Sequence, residues 1–248
     1  MKEKNFLYGL HSVKALLQCH PEQIQQLWVE VNRRDQRIQE IMALANEADI
    51  HVERISAASL EKKIGGVKHQ GVLASCRSAP ELTEEALIEK ITHQTDRVVL
   101  LILDGIQDPH NLGACLRSAN AFGVTAVIIP KDRAASLTEV TRKVACGAAE
   151  LTPVIRVTNL HRTLKQLKEV GVWLVGLDES ATESLSAIQL KNHVGVVMGG
   201  EGEGLRRLTR ESCDYLAKIP MMGQVESLNV SVATGIALYT QTTSRCEF

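Results

Sequence analysis

Hydrophobic positions follow two different rhythms along this chain. Over about the first 75 residues, short helical and strand patterns alternate. Val13, Leu16 and Leu17 recur at helical spacing after Tyr8-Gly9, and Ile38, Ile41, Met42 and Ala45 repeat that pattern. Residues 24–31, 50–53 and 69–74 read as strands between and after them. From Arg97 onward the rhythm changes. Residues 98–103, 126–129, 172–177, 194–198 and 215–219 are β-branched-rich apolar runs bounded by Gly, Pro or Asp. Continuous apolar runs suit strands buried on both faces. The fold class expected is therefore α/β, a mostly parallel sheet with helices on both sides, plus a small N-terminal α/β unit.

Between the two rhythms lies a polar, acidic stretch, Ser78-Ala79-Pro80-Glu81-Leu82-Thr83-Glu84-Glu85. It reads as a linker leading into a short helix. The organisation expected is a first unit over residues 1–77, a linker over 78–95 and a larger domain over 96–248. The longest apolar run, 98–103, is too short to cross a bilayer. The first residues, Met1-Lys2-Glu3-Lys4-Asn5, lack the apolar core of a signal peptide, so a cytoplasmic location is expected.

Composition narrows the partners. Hydrophobic residues make up 44% and charged residues 23%, as in ordinary soluble domains. A net charge of −1 supplies no global basic field, and 3% aromatics are too few for a base-stacking platform. An RNA substrate would need local clusters, for which Lys62-Lys63, Lys131 with Arg133, Arg142-Lys143, and Arg206 with Arg210 on one helix face are the candidates. The six cysteines show neither a C-x-x-C pair nor zinc spacing. They read as reduced, mostly buried thiols, and no metal is expected.

Ligands of open α/β sheets sit beyond the carboxyl ends of the strands, and three such ends are unusual here. After residues 98–103 comes Asp104-Gly105-Ile106-Gln107-Asp108-Pro109-His110-Asn111-Leu112-Gly113. Asp108 and Pro109 suit the cap and first position of a helix. Leu112, Leu116, Ala119 and Phe122 then form one stripe, which puts Arg117 on the opposite side. Spacing alone reads Arg117 as a solvated charge. After residues 194–198 comes Gly199-Gly200-Glu201-Gly202-Glu203-Gly204. Glycine clusters bring backbone close to a ligand, but Glu201 and Glu203 would repel phosphate and no Gly-Lys-Ser/Thr follows. A neutral or cationic ligand fits better, and the sulfonium of S-adenosylmethionine is such a cation. The third end is Ile219-Pro220-Met221, followed by Ser227-Leu228-Asn229-Val230-Ser231-Val232-Ala233. Ser227 reads as the cap of a final helix from Leu228 to about Thr243, which leaves Asn229 and Ser231 in need of partners.

Together these segments spell D-P-x-N-x-G-x-x-x-R, G-x-E-x-x-G and S-L-N-V-S-x-A, in that order over about 150 residues. They resemble the motifs of the SpoU branch of the SPOUT methyltransferases. Tyr8-Gly9-Leu10-His11 and Lys68-His69-Gln70-Gly71 resemble that family's N-terminal substrate-binding unit. Ile102-Leu103-Asp104, Lys131-Asp132-Arg133 and Lys143-Val144-Ala145-Cys146-Gly147-Ala148-Ala149-Glu150 are similar to the members that methylate a guanosine ribose of 23S ribosomal RNA. The likeness covers nearly the whole chain.

The resemblance implies a C-terminal trefoil knot and a homodimer with active sites at the subunit interface. It also implies S-adenosylmethionine held, without metal, against Gly199, Ile219 and Leu228. Arg117 matches the family's catalytic arginine. A guanidinium has no acceptor, so two roles stay open: deprotonation by an unusual site, or a lasting cation that aligns the target phosphate. Glu201 is expected to orient Arg117 or a neighbouring backbone group, and Asn111 and Asn229 to fix loop geometry or the ribose. Transfer RNA as substrate is the nearest rival. A Rossmann oxidoreductase is disfavoured by the absence of G-x-G-x-x-G after the first strand of the larger domain. A non-catalytic RNA-binding protein would not need Arg117 and Glu201.

Overall fold

The computed structural model describes residues 5–65, 69–76, 82–188, 190 and 192–243. Met1 to Lys4, Lys68, the linker residues 78–81 and Cys246 lie outside the described residues. The chain forms two compact units, Met1–Pro80 and Glu81–Phe248.

The first unit runs β1 (Asn5–Tyr8), α1 (Leu10–Cys19), β2 (Ile24–Glu30), α2 (Gln36–Glu47), β3 (Val52–Ile55), α3 (Ala57–Ile64) and β4 (Val72–Cys76). Its sheet order is β1-β4-β2-β3, with β4 antiparallel to both neighbours and β2 parallel to β3. The helical stripes read from sequence, Val13-Leu16-Leu17 and Ile38-Ile41-Ala45, are buried together with Leu27, Val29, Val72 and Ala74. Two strand starts move. Residues 50–51 do not open a strand, because the Ile50 N–H returns to the Ala45 carbonyl and closes α2. Residues 69–71 form a turn, with Gln70 and Gly71 at φ of 53° and 77°, so β4 starts only at Val72.

The second unit runs α4 (Glu84–His93), β5 (Val99–Asp104), α5 (Pro109–Ala121), β6 (Ala126–Pro130), α6 (Glu139–Ala145), α7 (Ala148–Leu151), β7 (Val154–Val157) and α8 (Leu160–Glu169). It continues with β8 (Trp173–Leu177), β9 (Glu183–Ser184), β10 (Val194–Gly199), α9 (Arg207–Ser212), β11 (Tyr215–Lys218) and α10 (Val230–Thr243). The sheet order is β7-β6-β5-β10-β8-β11-β9, and every ladder is parallel. Every residue of β5 is buried, and its side chains alternate between two cores. Val99, Leu101 and Leu103 pack with Leu112 and Leu116 of α5 and with Ala237 and Leu238 of α10. Val98, Leu100 and Ile102 pack with Leu87 and Ile91 of α4 and with Leu164 and Leu167 of α8. Burial on both faces is what turned these segments into unbroken apolar runs.

Helix α4 falls inside the stretch read as linker, yet Thr83 caps it through the Ala86 N–H at 3.2 Å and its apolar side is core. The interruption ends before Thr83. Strand β7 escaped the sequence reading because it is an edge strand whose exposed Arg156 breaks a short apolar run. The expectation of mostly buried thiols is corrected: Cys115 is buried, Cys76 and Cys213 are half-buried, and Cys19 and Cys146 are exposed. No helix among the described residues is long and apolar enough to cross a membrane.

Candidate active site

Because all strands of the second sheet are parallel, their carboxyl ends share one edge. Asp104, Gly199 and Lys218 close β5, β10 and β11 there, and the three motif loops leave from that edge.

The first loop turns sharply at Gly105, with φ of 86°. Asp108 then caps α5 by accepting the His110 N–H at 2.9 Å, and Pro109 fills its first turn, as the sequence suggests. This cap places Asn111 on the exposed start of the helix. The second loop is a hairpin closed by two backbone bonds, Gly200 N–H to Gly204 carbonyl at 3.1 Å and the reverse at 3.0 Å. It is folded so tightly that a Cβ on Gly199 would lie 2.1 Å from the Gly204 carbonyl carbon. Only glycine permits that approach. Glu201 stands at the hairpin's exposed tip.

At the third loop the cap differs from the expectation. Helix α10 starts at Val230 and not Leu228, and Asn229, not Ser227, caps it. The Asn229 Oδ1 accepts the Ser231 N–H at 2.9 Å and the Ser231 hydroxyl at 2.5 Å. The partners that Asn229 and Ser231 needed are therefore in part each other. The remaining group of Asn229, its Nδ2, donates to Asn111 Oδ1 at 3.0 Å, and Asn111 Nδ2 donates to Glu201 Oε1. One hydrogen-bonded chain, Asn229 to Asn111 to Glu201, thus ties all three loops together.

One turn deeper a second link repeats the join. Cys115 on α5 and Thr234 on α10 lie 3.4 Å apart, Sγ to Oγ1, and are buried. Burial pushes the Cys115 thiol up to about 11; the Thr234 contact opposes the rise and the Glu201 charge adds to it.

Arg117 is exposed, on the side of α5 away from Leu112, Leu116 and Ala119, as the stripe requires. It is not brought to Glu201, whose carboxylate is taken by Asn111. Its NH1 donates instead to Cys146 Sγ at 3.9 Å. Of the residues assigned to the cofactor, Gly199 ends β10, Ile219 follows β11 half-buried, and Leu228 precedes α10 half-buried. Between the last two, Met222 and Val225 are 97% and 64% exposed, an apolar loop without cover.

Sequence reasoning missed one pair. Asp104 is 1% exposed; its Oδ2 accepts the Arg206 N–H at 3.1 Å and its Oδ1 lies 3.4 Å from Arg206 NH1. A carboxylate ending a wholly buried strand needs such a partner, and that was the available signal. Three arginines of the candidate basic clusters also have carboxylate partners. Arg206 is drawn to Asp104, Arg210 is paired with Asp178 at 2.5 Å, and Arg142 is paired with Glu150 at 2.7 Å. Arg206 is the N-cap of α9, and its carbonyl accepts the Arg210 N–H at 2.9 Å, four residues along the same helix. In the first unit Lys63 lies 4.4 Å over the Trp28 ring. Lys131 and Arg133 stay exposed. Among the described residues no group of three or more His, Cys, Asp or Glu side chains could hold a metal ion.

This fold and this edge define a class. The SpoU rRNA methylase family model matches residues 98–239, and a model for the substrate-binding region of RNA 2′-O ribose methyltransferases matches residues 6–82. The chain belongs to the SpoU rRNA methylase family. It is 51% identical, over 96% of its length and 95% of the relative's, to the 23S rRNA (guanosine-2′-O-)-methyltransferase RlmB of Coxiella burnetii. The protein of the same name from Pseudomonas putida is 47% identical, over 96% of each chain. Among solved structures, the SpoU methyltransferase AviRb of Streptomyces viridochromogenes superposes with a TM-score of 0.77 at 19% identity, covering 98% of this chain and 90% of that one. Its complex with the cofactor AdoMet gives a TM-score of 0.75 at 21% identity, with the same coverage.

Proposed function

We propose that this protein transfers a methyl group from S-adenosylmethionine to the ribose 2′-hydroxyl of a guanosine in 23S ribosomal RNA. The observation that carries the reading is the chain Asn229–Asn111–Glu201, which joins the three motif loops at the strand ends where ligands of such sheets bind. Two near-full-length relatives at 51% and 47% identity, named for that reaction, support the substrate.

The residues present fit the cofactor. The space a Gly199 side chain would take is filled by the Gly204 and Leu205 backbone, so what this loop offers a ligand at its other side is main chain. Ile219 and Leu228 offer apolar contact, and the exposed Glu201 and Glu203 suit a cation and disfavour a phosphate. When bound, S-adenosylmethionine supplies an activated methyl on a positively charged sulfur. The protein's own task is then to align the ribose oxygen and handle its proton. Arg117 remains a guanidinium in this reading, orienting the target's phosphate and stabilising charge that develops on the hydroxyl oxygen. Asn111, Glu201 and Asn229 hold the loops in register around the reacting atoms.

Three further parts belong to this reading. Membership of the SpoU family supports a knotted path in the C-terminal part, a trefoil of the kind sequence rules normally exclude. The exposed row Val232, Ile236 and Tyr239 on α10 supports a homodimer joined through the second unit. The first unit selects the RNA, in the bacterial cytoplasm where ribosomes assemble. Mapping ribose methylation of 23S ribosomal RNA in a deletion strain, with and without the restored gene, tests the whole. A complete methylation map in the deletion strain would refute it, as would a missing methyl confined to transfer RNA.

A further inference from the structure

We propose that the left-handed turn between α6 and α7 is the element that positions Arg117, with Cys146 as the positioning residue. The inference rests on the reading above that Arg117 acts in methyl transfer.

Gly113 and Arg117 are four residues apart on α5 and so share one face. A Cβ on Gly113 would lie 2.7 Å from the Thr141 carbonyl oxygen and 2.8 Å from Val144 Cβ. The missing side chain is what lets α6 lie directly on α5. One turn further along the same face, the end of α6 therefore comes within reach of Arg117. That end is unusual. Cys146 takes the left-handed conformation, at φ 53° and ψ 39°, and Gly147 follows at φ 94°. Glycine or asparagine is the ordinary choice at such a helix end, since a side chain crowds the backbone there. The turn is tied across its mouth by Arg142 NH1 and Glu150 Oε1 at 2.7 Å, with the Glu150 side chain only 10% exposed. Held this way, Cys146 presents Sγ 3.9 Å from Arg117 NH1.

Sulfur has a specific merit here. A carboxylate would pin the guanidinium and neutralise it, as Asp104, Asp178 and Glu150 do for Arg206, Arg210 and Arg142. Arg117 forms no ion pair among the described residues. A thiol is a weak acceptor that orients the group and leaves its charge for a phosphate. The left-handed cysteine is thus a strained residue kept beside a functional one.

Cys146→Gly separates a positioning role from a merely structural one, because it removes the strain and the sulfur together. Its melting temperature should equal or exceed that of the unaltered protein, with KM for S-adenosylmethionine unchanged. Its kcat on a 23S fragment should fall about three- to ten-fold, the range of one lost hydrogen bond. Cys146→Ser, which keeps an acceptor, should recover most of that loss. Full kcat in both Cys146→Gly and Cys146→Ala, while Arg117→Ala is inactive, overturns this inference alone. Full turnover by Arg117→Ala overturns the reading of Arg117 beneath it.

Discussion

Asn229 donates its Nδ2 to the Oδ1 of Asn111 at 3.0 Å, across 118 positions of sequence. The direction of that bond is set at both ends. Glu201 can only accept when ionised, so Asn111 must offer its Nδ2 there and keep its Oδ1 for Asn229. Asn229 must in turn keep its Oδ1 for the cap of α10. Every polar atom of the two amides has one assignment, and the three loops of the edge are held in one relative register.

Replacing Asn111 by Asp tests that polarity with almost no change of shape. The new carboxylate could still accept from Asn229 but would face Glu201 with like charge. Transfer should fall about 10- to 100-fold, the scale of a lost hydrogen bond to a charged group. Asn111→Ala, which loses both bonds without the repulsion, should be less damaged. Equal activity of Asn111→Asp and the unaltered protein in a tritium-transfer assay would show that the chain is incidental.

Arg117→Ala should abolish transfer and leave folding and cofactor affinity nearly intact, since the exposed side chain packs against little. Arg117→Lys keeps charge but loses the bidentate fork, so partial rescue favours phosphate alignment over proton abstraction. Calorimetry with S-adenosylmethionine beside single-turnover assays separates binding from chemistry. Unimpaired turnover in the Ala variant rejects the assignment.

How much of this could be read beforehand follows physical lines. The apolar runs that became β5, β6 and β10 were legible because strands buried on both faces cannot hide their composition, and β8 and β11, less buried, were legible as short apolar runs. The candidate site residues stood out as motifs, and the exposed face of Arg117 was legible as a helical stripe. Their partners were not. Nothing in the spacing says that Asn111 rather than Arg117 takes Glu201, because that depends on where a glycine hairpin places its tip. The carboxylate partners of the basic clusters were hidden for a related reason: Asp104, Asp178 and Glu150 lie 102, 32 and 8 positions from the arginines they hold. Long-range pairing is invisible to local pattern.

Glu150 gives a pH dependence of known sign. Burial raises its pKa above the ordinary carboxylate range, against the opposing pull of Arg142. The folded state therefore binds the proton more tightly than the unfolded chain does. That contribution to stability is full below the unfolded pKa and is lost as pH rises through the raised folded value. Glu150→Gln keeps an acceptor for Arg142 and cannot ionise. Its melting temperature should match the unaltered protein at about pH 4 and exceed it at about pH 8. The opposite order at alkaline pH would show that the ion pair outweighs the cost of burial.

The exposed apolar row on α10 predicts association. Val232, Ile236 and Tyr239 are 51%, 37% and 58% exposed, at positions i, i+4 and i+7 of one helix. Buried side chains of the same helix, Thr234, Ala237 and Leu238, already serve its own core. Light scattering should report a dimer at micromolar concentration, and Ile236→Asp should shift it towards monomer without unfolding. A monomer in the unaltered protein leaves this face unexplained and overturns the homodimer.

The last prediction concerns the division of labour between the two units. The first unit carries none of the three motif loops, and its own sheet and core are complete. Removing residues 1–77 should therefore preserve S-adenosylmethionine binding and dimerisation through the second unit. RNA affinity should fall, and methylation of the specific guanosine should fall further than cofactor affinity does. Three of the candidate arginines are held by carboxylates of their own unit, so few charges remain for phosphate. The full chain should accordingly show a moderate salt slope, of a handful of phosphate contacts, and the shortened one a smaller slope. Single-turnover methylation of a 23S fragment by both proteins, at two salt concentrations, decides the matter. Equal rates and equal choice of nucleotide would mean that the second unit reads its substrate unaided, and the first would need another purpose.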